Sequence, residues 1–418
     1  MHPRIQALAD HPWRLALLLG LAAQLLFTIN LPYPSKLFFD EVHYVPAALA
    51  LLDGIPSHNA EHPLVGKELI AVGIALFGDN PWGWRLIPSL FGSATIVGTF
   101  AFLWLLLGKV RPPVIGALLL ILNQLLYMQA RIAMLDVFLG AFVLWALVAF
   151  LWAMKSPPDK VMRRWIMASA LLGLAVGVKW AAIPYVALAG LAFLVIRWRD
   201  KDDRHWPGLG ASVALLLLGE VSIAAYCLTF LPAFFYAENA LTLSGFIAFQ
   251  KEMYALQTQV LPPHTYQSQW WSWPLAIRPI WYFYENYDGA QRGVLYLGNP
   301  LIMWGGLVAV VACLVAWFRE RAIRPLAMAL LWAGSLAIYI VIPKSLGFYY
   351  YYFLSSIFLC LVLAVAFDHF DRGKKLKREI WFTAASLAMF AYFFPIISAV
   401  PLPSGGSFQN WMWLPSWL

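Results

Sequence analysis

The sequence predicts an all-α polytopic membrane protein with about eleven transmembrane helices. Three observations predict this fold class. Of the 418 residues, 62% are hydrophobic and only 12% are charged, whereas soluble domains carry about 25% charged residues. The mean hydropathy is +0.70. The apolar residues also form separate runs close to the roughly 20 residues that a membrane-spanning helix needs. These features exclude soluble, disordered and fibrous proteins.

The apolar runs set the number of spans, and the basic residues set their direction. The run over 165–196 is either one long helix or two helices broken at Lys179-Trp180. Two helices, with the N-terminus inside, place most of the 29 basic residues in cytoplasmic loops. A single long helix over 165–196 would instead place the basic clusters at 197–204, 319–324 and 372–378 on the outer side of the membrane. We therefore expect an outer C-terminus and a short, partly re-entrant split pair, with spans near 13–31, 84–107, 113–130, 135–154, 165–178, 180–196, 209–231, 299–318, 323–342, 346–367 and 380–400.

Charge and cysteine content exclude several other classes of protein. The net charge of +8 is spread over short loops. The sequence therefore predicts the lipid bilayer, and not nucleic acid, as a partner. Cys227, Cys313 and Cys360 all lie in apolar runs and indicate no disulfide framework. The first span follows a basic N-terminus without a small-residue cleavage site, which is typical of an uncleaved signal anchor. No GxxxxGK[ST] phosphate loop is present, which excludes an inward-facing ATPase.

We expect a single transmembrane domain over 1–418 with two long outer segments, a first catalytic loop at 32–83 and a second loop at 232–298. In the first segment, 43–52 and 64–77 have the pattern of short helices at the membrane interface. The second segment is rich in tryptophan and tyrosine. These aromatic residues indicate an interfacial belt, or in part a groove for a sugar or an isoprenoid chain. Polar chemistry is therefore predicted on the outer face.

Asp40 and Glu41 follow the first span directly and are the leading catalytic candidates. Phe38 and Phe39 precede them, and an apolar setting raises the pKa of a carboxylate and makes it a better base. The alternative is a pair of solvated acids at a helix end.

Further ionisable residues are expected at the same membrane level. Arg131 and Asp136 lie between the third and fourth spans, and Lys179 interrupts the long run. Charges so close to hydrocarbon usually pair or bind a ligand. Arg131 and Asp136 could instead form a structural ion pair, and Lys179 could extend to the interface. Glu220, midway along the seventh span, is a weaker candidate; the alternative is a packing acid bonded near Ser222 or to Lys179.

A metal site is not predicted, although one alternative stays open. His62, Glu61, His43 and Asp40 are close in sequence, but they lack the HExxH or CxxC spacing of a zinc site. A divalent cation held by Asp40, Glu41 or Asp136 remains an alternative. No other cofactor is indicated.

Outward carboxylates, cations at the membrane surface and aromatic loops fit one reaction. This is the transfer of a sugar from a membrane-anchored phosphate carrier to an acceptor outside the cytoplasm, where no nucleotide sugar is available. The leaving phosphate needs Arg or Lys, and the acceptor hydroxyl needs a base.

Seven motifs, in order and spacing, resemble the protein O-mannosyltransferase family, within the GT-C class of lipid-phosphate-dependent glycosyltransferases. The resemblance runs from about residue 38 to the end. The motifs are Phe39-Asp40-Glu41-Val42-His43, His62-Pro63-Leu64-Val65-Gly66-Lys67, Arg131-Ile132-Ala133-Met134-Leu135-Asp136, Gly177-Val178-Lys179-Trp180, Arg278-Pro279, Leu297-Gly298-Asn299-Pro300 and Trp413-Leu414-Pro415-Ser416-Trp417.

The resemblance implies a polyprenyl-phosphate mannose donor and a Ser or Thr hydroxyl of a secreted or membrane protein as acceptor. Asp40 would be the general base of an inverting transfer, and Glu41 would orient acceptor or sugar. Arg131 would hold the carrier phosphate, with Lys179 and Arg278 as second contacts. The remaining motif residues expected at the donor or substrate are His62, Lys67, Asp136 and Asn299. The implied location is the bacterial cytoplasmic membrane, with the secretion translocon as an expected partner.

The chain departs from the family pattern in two places. The usual His-Pro-Pro-Leu-Gly-Lys motif has lost its second proline at residues 62–67, and the 232–298 segment lacks the MIR domain of eukaryotic members. The absence of the MIR domain matches the bacterial type and leaves the mode of acceptor recognition open. The first alternative is a GT-C enzyme that transfers another polyprenyl-phosphate-linked sugar to lipid A or an envelope glycan. The second is a lipid-linked sugar transporter, although no internal repeat is found. A purely structural scaffold would not need these ionisable residues on one side.

Overall fold

The computed structural model describes residues 11–57, 59–342, 344–371 and 377–418. The basic N-terminus and part of the basic cluster at 372–378 therefore lie outside the described residues. In chain order the helices are α1 (Pro12–Thr28), α2 (Glu41–Leu52), α3 (Val65–Phe77), α4 (Pro81–Leu107), α5 (Arg111–Ile121), α6 (Gln124–Gln129), α7 (Asp136–Met154), α8 (Pro158–Val178), α9 (Ile183–Arg199), α10 (Ala211–Leu228), α11 (Phe246–Thr258), α12 (Pro300–Glu320), α13 (Ile323–Val341), α14 (Phe353–Phe370) and α15 (Arg378–Ile397).

Each of the eleven predicted spans coincides with a helix. Within the described ranges, nine helical segments are long and apolar enough to cross a membrane, while α1 and α5 are shorter. α5 is short because Asn123 interrupts the predicted span: its side chain accepts a hydrogen bond from the backbone N–H of Leu125 and starts a new helix, α6. The fold is therefore the predicted polytopic helical bundle.

The predicted break at Lys179 is confirmed, but the expected short helices are wrong. α8 has 21 residues, and the segment Trp180–Arg199, which contains α9, has 20. α8 begins at Pro158, ahead of the apolar run predicted from residue 165. Its first turns are amphipathic and carry charged residues, so the apolar run does not include them. Both segments are long enough to cross the membrane fully.

Two helices that are apolar on all sides form the centre of the bundle. α7 packs against α8 and α4, and α14 packs against α12 and α13. A helix without a polar face is expected to be buried, and most of α7 and α14 is. α8 and α10 also approach closely at Gly173. A Cβ added there would lie 2.4 Å from the Ser222 carbonyl oxygen, so only glycine fits. The helices at the edge keep one apolar face free.

A β-hairpin in the second long segment was not predicted. Strand β1 (Ile280–Tyr287) pairs antiparallel with β2 (Ala290–Tyr296). Asp288 and Gly289 form the turn with φ of +52° and +72°, and this two-residue Asp-Gly turn suits the twist of a hairpin. The hairpin also pairs with the C-terminal tail through Gln291 and Leu402.

The segments 32–83 and 232–298 lie at the same end of the bundle, which we call the site end. The tail is fixed there, since Trp417 is buried and its indole N–H donates to the Ala276 carbonyl. Lys109, which pairs with Asp368, lies at the opposite end.

Candidate active site

Asp40 lies at the N-terminus of α2, at the end of the segment 29–39 that follows α1. Its side chain caps no backbone N–H of the helix, which is unusual for an aspartate at this position. Phe39 adopts a left-handed φ of +50° and stacks on Tyr282 with the ring centroids 3.8 Å apart. A strained residue beside an uncapped carboxylate often marks a functional site. Asp40 is half-buried, and its carboxylate accepts no backbone N–H of the helix, which leaves the oxygens available to a proton.

The electrostatic environment of Asp40 suits a base. Burial raises its pKa from 3.8 to about 6, the Lys179 ammonium opposes this rise, and the Asp136 carboxylate adds to it. Asp40 therefore remains mostly ionised at neutral pH while holding a proton more strongly than a solvated carboxylate.

Asp136 and Lys179 form a buried ion pair beside Asp40. The Lys179 ammonium donates to both carboxylate oxygens of Asp136, at 3.1 and 3.2 Å. It also lies 5.5 and 5.6 Å from the ring centres of Tyr350 and Tyr351. Burial would lower the pKa of Lys179, but Asp136 and the other anionic neighbours outweigh burial and raise it. Lys179 is therefore a permanent cation.

A cavity of about 120 Å³ opens next to this ion pair. It contains a second cation, Lys344, which the sequence interpretation did not select. The Lys344 ammonium donates to the Gln257 side-chain oxygen at 3.0 Å. Burial and the neighbouring Lys179 lower the pKa of Lys344 to about 8. The lining residues are Asp136, Lys179, Trp180, Ala181, Tyr254, Gln257, Thr258, Tyr339, Ile342, Lys344 and Tyr351.

The charges of this cavity favour an anion. Asp136 balances one of the two cations, whereas Lys344 has a neutral partner in Gln257. An anionic group between the ammonium groups would relieve their mutual repulsion, and a phosphate has the charge and oxygen atoms to do so.

Glu41 is held by Arg85, which sequence reasoning missed. The Arg85 guanidinium donates to both Glu41 carboxylate oxygens at 2.8 Å, and both side chains are fully buried. Glu41 also accepts from the backbone N–H of Ala133 at 3.0 Å. Its oxygens are thus engaged inside the protein, where they brace the turn before Asp40, and a contact of Glu41 with acceptor or sugar stays a prediction. The available signal was an arginine in the first turns of an otherwise apolar helix.

Arg131 does not join the cavity. Its guanidinium donates to the carbonyls of Phe27 at 3.0 Å, Ser398 at 3.3 Å and Ile29, and it packs over the Tyr127 ring. The proposed ion pair with Asp136 is wrong, since Asp136 pairs with Lys179. Among the described residues, no hydrogen bond or ion pair joins Arg131 to Asp40 or Lys179, so the residues expected at this membrane level come together only as Asp40, Asp136 and Lys179. Arg131 instead ties α1 to the start of the tail.

The other predicted substrate residues lie outside the cavity lining and are bonded within the protein. His62 Nδ1 lies 3.0 Å from Gln257 Nε2, and burial and nearby lysines lower its pKa. Lys67, whose pKa burial lowers to about 7, donates to the carbonyls of Asn59 and His62. Asn299 caps α12 and is fully buried. Arg278 donates to the Thr265 carbonyl.

The carboxylates do not gather into a cation site. Of the three carboxylates in the divalent-cation alternative, Glu41 is engaged by Arg85 and Asp136 by Lys179, whereas Asp40 has no ion pair. Across the described ranges, no group of three or more His, Cys, Asp or Glu is arranged to hold a metal ion.

Two family profiles match successive parts of the chain. Residues 61–223 match the profile of dolichyl-phosphate-mannose-protein mannosyltransferase. Residues 242–417 match that of the C-terminal four-transmembrane region of protein O-mannosyltransferase.

Sequence relatives agree with these profiles. The polyprenol-phosphate-mannose–protein mannosyltransferase of Mycobacterium tuberculosis is 28% identical, over 91% of this chain and 86% of that protein. The enzyme of the same name from Mycolicibacterium smegmatis is 25% identical, over 97% of this chain and 93% of that protein.

Solved structures share the fold. The Saccharomyces cerevisiae protein O-mannosyltransferase Pmt1–Pmt2 complex aligns with a TM-score of 0.81 and 15% identity, covering 97% of this chain and 92% of that one. ArnT from Cupriavidus metallidurans, bound to undecaprenyl phosphate, aligns with a TM-score of 0.63 and 17% identity, covering 90% and 63%. By profile, sequence and fold together, the chain belongs to the protein O-mannosyltransferase family of glycosyltransferases.

Proposed function

We propose that this protein transfers mannose from a polyprenyl-phosphate carrier to a Ser or Thr hydroxyl of a protein, with Asp40 as general base. One observation supports this chemistry above the others. An uncapped aspartate lies within electrostatic range of a cavity that contains two ammonium groups. The aspartate suits an acceptor hydroxyl, and the ammonium groups suit a leaving phosphate.

The transfer is a single displacement. The acceptor hydroxyl gives its proton to a carboxylate oxygen of Asp40 as its own oxygen attacks the anomeric carbon of mannose. The bond from that carbon to the phosphate oxygen breaks, and its electron pair leaves with the polyprenyl phosphate. Lys179 and Lys344 stabilise the negative charge that develops there. Attack and departure on opposite sides of the carbon invert its configuration.

Asp136, Glu41 and Arg85 act through other residues. Asp136 fixes the ammonium of Lys179, and the Glu41–Arg85 pair fixes the turn that presents Asp40. Lys179 lies between two membrane-spanning segments, a suitable level for the head group of a carrier whose chain stays in the bilayer. Asp136, Glu41 and Arg85 are therefore positioning residues.

The protein is a multi-pass membrane protein, and we propose the bacterial cytoplasmic membrane as its location. The site end then faces outward and the N-terminus lies in the cytoplasm. The basic loops at the opposite end support this orientation through the positive-inside rule. An acceptor chain emerging from the secretion translocon would meet the site on that face. Labelling of single cysteines at Asn59 and Ser156 tests the orientation, and labelling of both from the same side would overturn it.

A transferase with another sugar or a glycolipid acceptor is the second candidate. A Pseudomonas fluorescens undecaprenyl phosphate-alpha-4-amino-4-deoxy-L-arabinose arabinosyl transferase is 28% identical, but over only 38% of this chain and 29% of its own length. The protein mannosyltransferases match more than twice as much of the chain, which favours mannose transfer to protein. A sugar transporter would place its polar residues near the middle of the membrane, whereas Asp40, Lys179 and Lys344 lie at one end.

Incubation of the purified protein in nanodiscs with radiolabelled polyprenyl-phosphate mannose tests the proposal. The matched acceptors are a Ser/Thr peptide, the same peptide with alanine at each Ser and Thr, and lipid A. We expect label on the first acceptor alone. Label on lipid A only supports the second candidate, and no release of mannose from its carrier contradicts both.

A further inference from the structure

The β-hairpin contacts the segment 29–39, which leads from α1 to Asp40 and which we call the lead segment. The contacts run in opposite order along the two parts of the chain, so that residues closer to Asp40 contact residues closer to the start of β1. In this order the pairs are Ser35 with Asp288, Lys36 with Glu285, Phe38 with Phe283 and Phe39 with Tyr282. The lead segment therefore runs antiparallel to β1 and is joined to it by side chains.

The contacts furthest from Asp40 are polar and attach the lead segment to the turn of the hairpin. The Asp288 carboxylate accepts from the backbone N–H of Ser35 at 2.9 Å and from the Ser35 hydroxyl. The guanidinium of Arg292, on β2, lies 4.5 Å from the centre of the Tyr33 ring. Hydrogen bonds to a carboxylate are stronger than those between neutral groups. These contacts fix the position of the lead segment along the hairpin.

The contact nearest to Asp40 is a stack of three aromatic rings. The rings of Phe39 and Tyr282 have centroids 3.8 Å apart and planes 18° from parallel. Tyr282 stacks in turn on Tyr296 of β2, at 4.8 Å and 10°. Tyr282 and Tyr296 are both buried. The stack thus holds Phe39 against the hairpin through the large apolar faces of these rings.

Phe39 needs such support because its backbone is strained. Its φ of +50° lies in the left-handed region, which is unfavourable for a residue with a bulky side chain and persists only where the surrounding structure enforces it. Tyr350 also meets the Phe39 ring, but edge-on, with the centroids 5.9 Å apart. Asp40 is the next residue, so a return of Phe39 to an ordinary φ would change the direction of the carboxylate.

We propose that the hairpin positions the base: Tyr282 holds Phe39 in the left-handed conformation that sets the direction of Asp40. This inference rests on the proposed role of Asp40 as general base. The Glu41–Arg85 pair fixes the chain directly after Asp40, and the hairpin fixes the chain directly before it. The carboxylate is therefore held from both sides.

The hairpin can support the lead segment because the C-terminal tail anchors its other strand. The backbone N–H of Leu402 donates to the Gln291 carbonyl at 2.8 Å, and the Arg292 guanidinium donates to the Ala399 carbonyl at 2.7 Å. A two-stranded hairpin alone is marginally stable. Its position between the lead segment and the tail supplies the stability that it lacks alone.

Tyr282→Leu, which removes the stacking ring, tests the proposal through transfer of mannose to the peptide. We expect kcat to fall about 10- to 100-fold, because a misplaced base reacts poorly, and the donor KM to stay within about twofold, because Lys179 and Lys344 are unchanged. Tyr282→Phe keeps the ring and should restore at least about half of kcat. Tyr284→Leu is the matched control on the same strand, since the Tyr284 ring packs on Phe408 of the tail, and it should leave kcat within about twofold.

The pH profile separates positioning from a loss of folded protein. Burial is the main cause that raises the pKa of Asp40 to about 6. When Phe39 is released, Asp40 becomes more exposed and its pKa falls, so the acidic limb of Tyr282→Leu should lie at least about half a pH unit lower than that of the unchanged protein. Partial unfolding would lower the rate at every pH and leave the limb in place.

Thiol labelling gives an answer that does not depend on transfer. Asp40→Cys is placed in a Cys227→Ser background, in which the two remaining cysteines are buried. A methanethiosulfonate reagent then reports the accessibility of position 40. Adding Tyr282→Leu should raise the labelling rate several-fold, whereas adding Tyr282→Phe or Tyr284→Leu should not.

Three results would overturn the proposal. The first is a Tyr282→Leu variant with the kcat and acidic limb of an active unchanged protein. The second is an equal loss in Tyr282→Phe, which would assign the effect to the hydroxyl. The third is equal labelling of position 40 with and without Tyr282→Leu, and this result decides the question even if the unchanged protein transfers no mannose and the proposed function fails.

A milder variant at the far end of the lead segment replaces Tyr282→Leu if that protein does not fold. Asp288→Asn removes the charge that holds Ser35, and asparagine accepts the φ of +52° at this position. We expect the acidic limb to move in the same direction and kcat to fall about two- to threefold. An unchanged limb and kcat in this variant would overturn the proposal.

Discussion

The pKa of Asp40 gives a prediction that involves only this site. If Asp40 is the base, transfer requires its ionised form, and activity falls as pH decreases through about 6. Below that value the ionised fraction drops about tenfold for each pH unit. An ordinary aspartate, at 3.8, would keep full activity down to about pH 5. The acidic limb of kcat/KM for the peptide should therefore lie about two pH units higher than for a solvated carboxylate.

Charge substitutions beside Asp40 should move this limb in opposite directions. Lys179 lowers the pKa of Asp40 and Asp136 raises it. Lys179→Met therefore moves the limb toward neutral pH, by about one unit, because it removes a cation and leaves Asp136 unpaired. Asp136→Asn moves it toward acid, because it removes a like charge and frees Lys179. Lys109→Met, at the opposite end, is the matched control and should leave the limb in place.

The assay is initial-rate transfer to peptide between pH 4.5 and 8.5 in nanodiscs, normalised to the plateau of each variant. Normalisation removes the loss of rate that Lys179→Met also causes at the donor phosphate, so that only the pH at which the acidic limb falls is compared. A limb near pH 4 in the unchanged protein would refute the assignment of Asp40. A shift of both variants in the same direction would refute the electrostatic reasoning.

Four further outcomes are expected. Lys344→Met should raise KM for the lipid donor about 10-fold or more, since it removes a charge-assisted hydrogen bond to phosphate; an unchanged KM contradicts that contact. Glu41→Leu should destabilise the protein by about 3–5 kcal/mol, and adding Arg85→Met should restore part of that, because an unpaired buried charge costs more than the loss of the pair; thermal unfolding of both variants checks this. Asp40→Asn should match the unchanged protein in stability at pH 4 and exceed it by up to about 3 kcal/mol at pH 7, because the raised pKa of Asp40 means that its ionised form opposes folding; equal stability at both pH values contradicts the raised pKa. Arg131→Gln should lower the unfolding temperature without changing the donor KM, and a rise in that KM would return Arg131 to the phosphate site.

The sequence was sufficient for the helical architecture because a bilayer requires long apolar runs, and these are visible without tertiary information. It located the break at Lys179 through loop charge alone. The lengths of the two helices around that break could not be predicted from apolar runs, since α8 begins with a charged, amphipathic segment. The hairpin was missed although Asp288-Gly289 is a strong turn signal, because the aromatic residues around it also suit an interfacial belt.

The candidate site was predictable only in part. Asp40, Asp136 and Lys179 were selected because charges are costly near hydrocarbon, but spacing does not reveal which cation pairs with an acid. Asp136 is five residues from Arg131, yet it binds Lys179, 43 residues away. Lys344 resembled an ordinary loop lysine in sequence, and only the fold places it in the cavity with Lys179.

The base assignment is tested most directly by comparing donor binding and single-turnover transfer for the unchanged protein and Asp40→Asn. Both proteins should bind polyprenyl-phosphate mannose with similar affinity, because Lys179 and Lys344 remain in place. The unchanged protein should then mannosylate the peptide, and the variant should retain at most about one hundredth of that rate. Transfer by Asp40→Asn at the unchanged rate would contradict the role of this carboxylate.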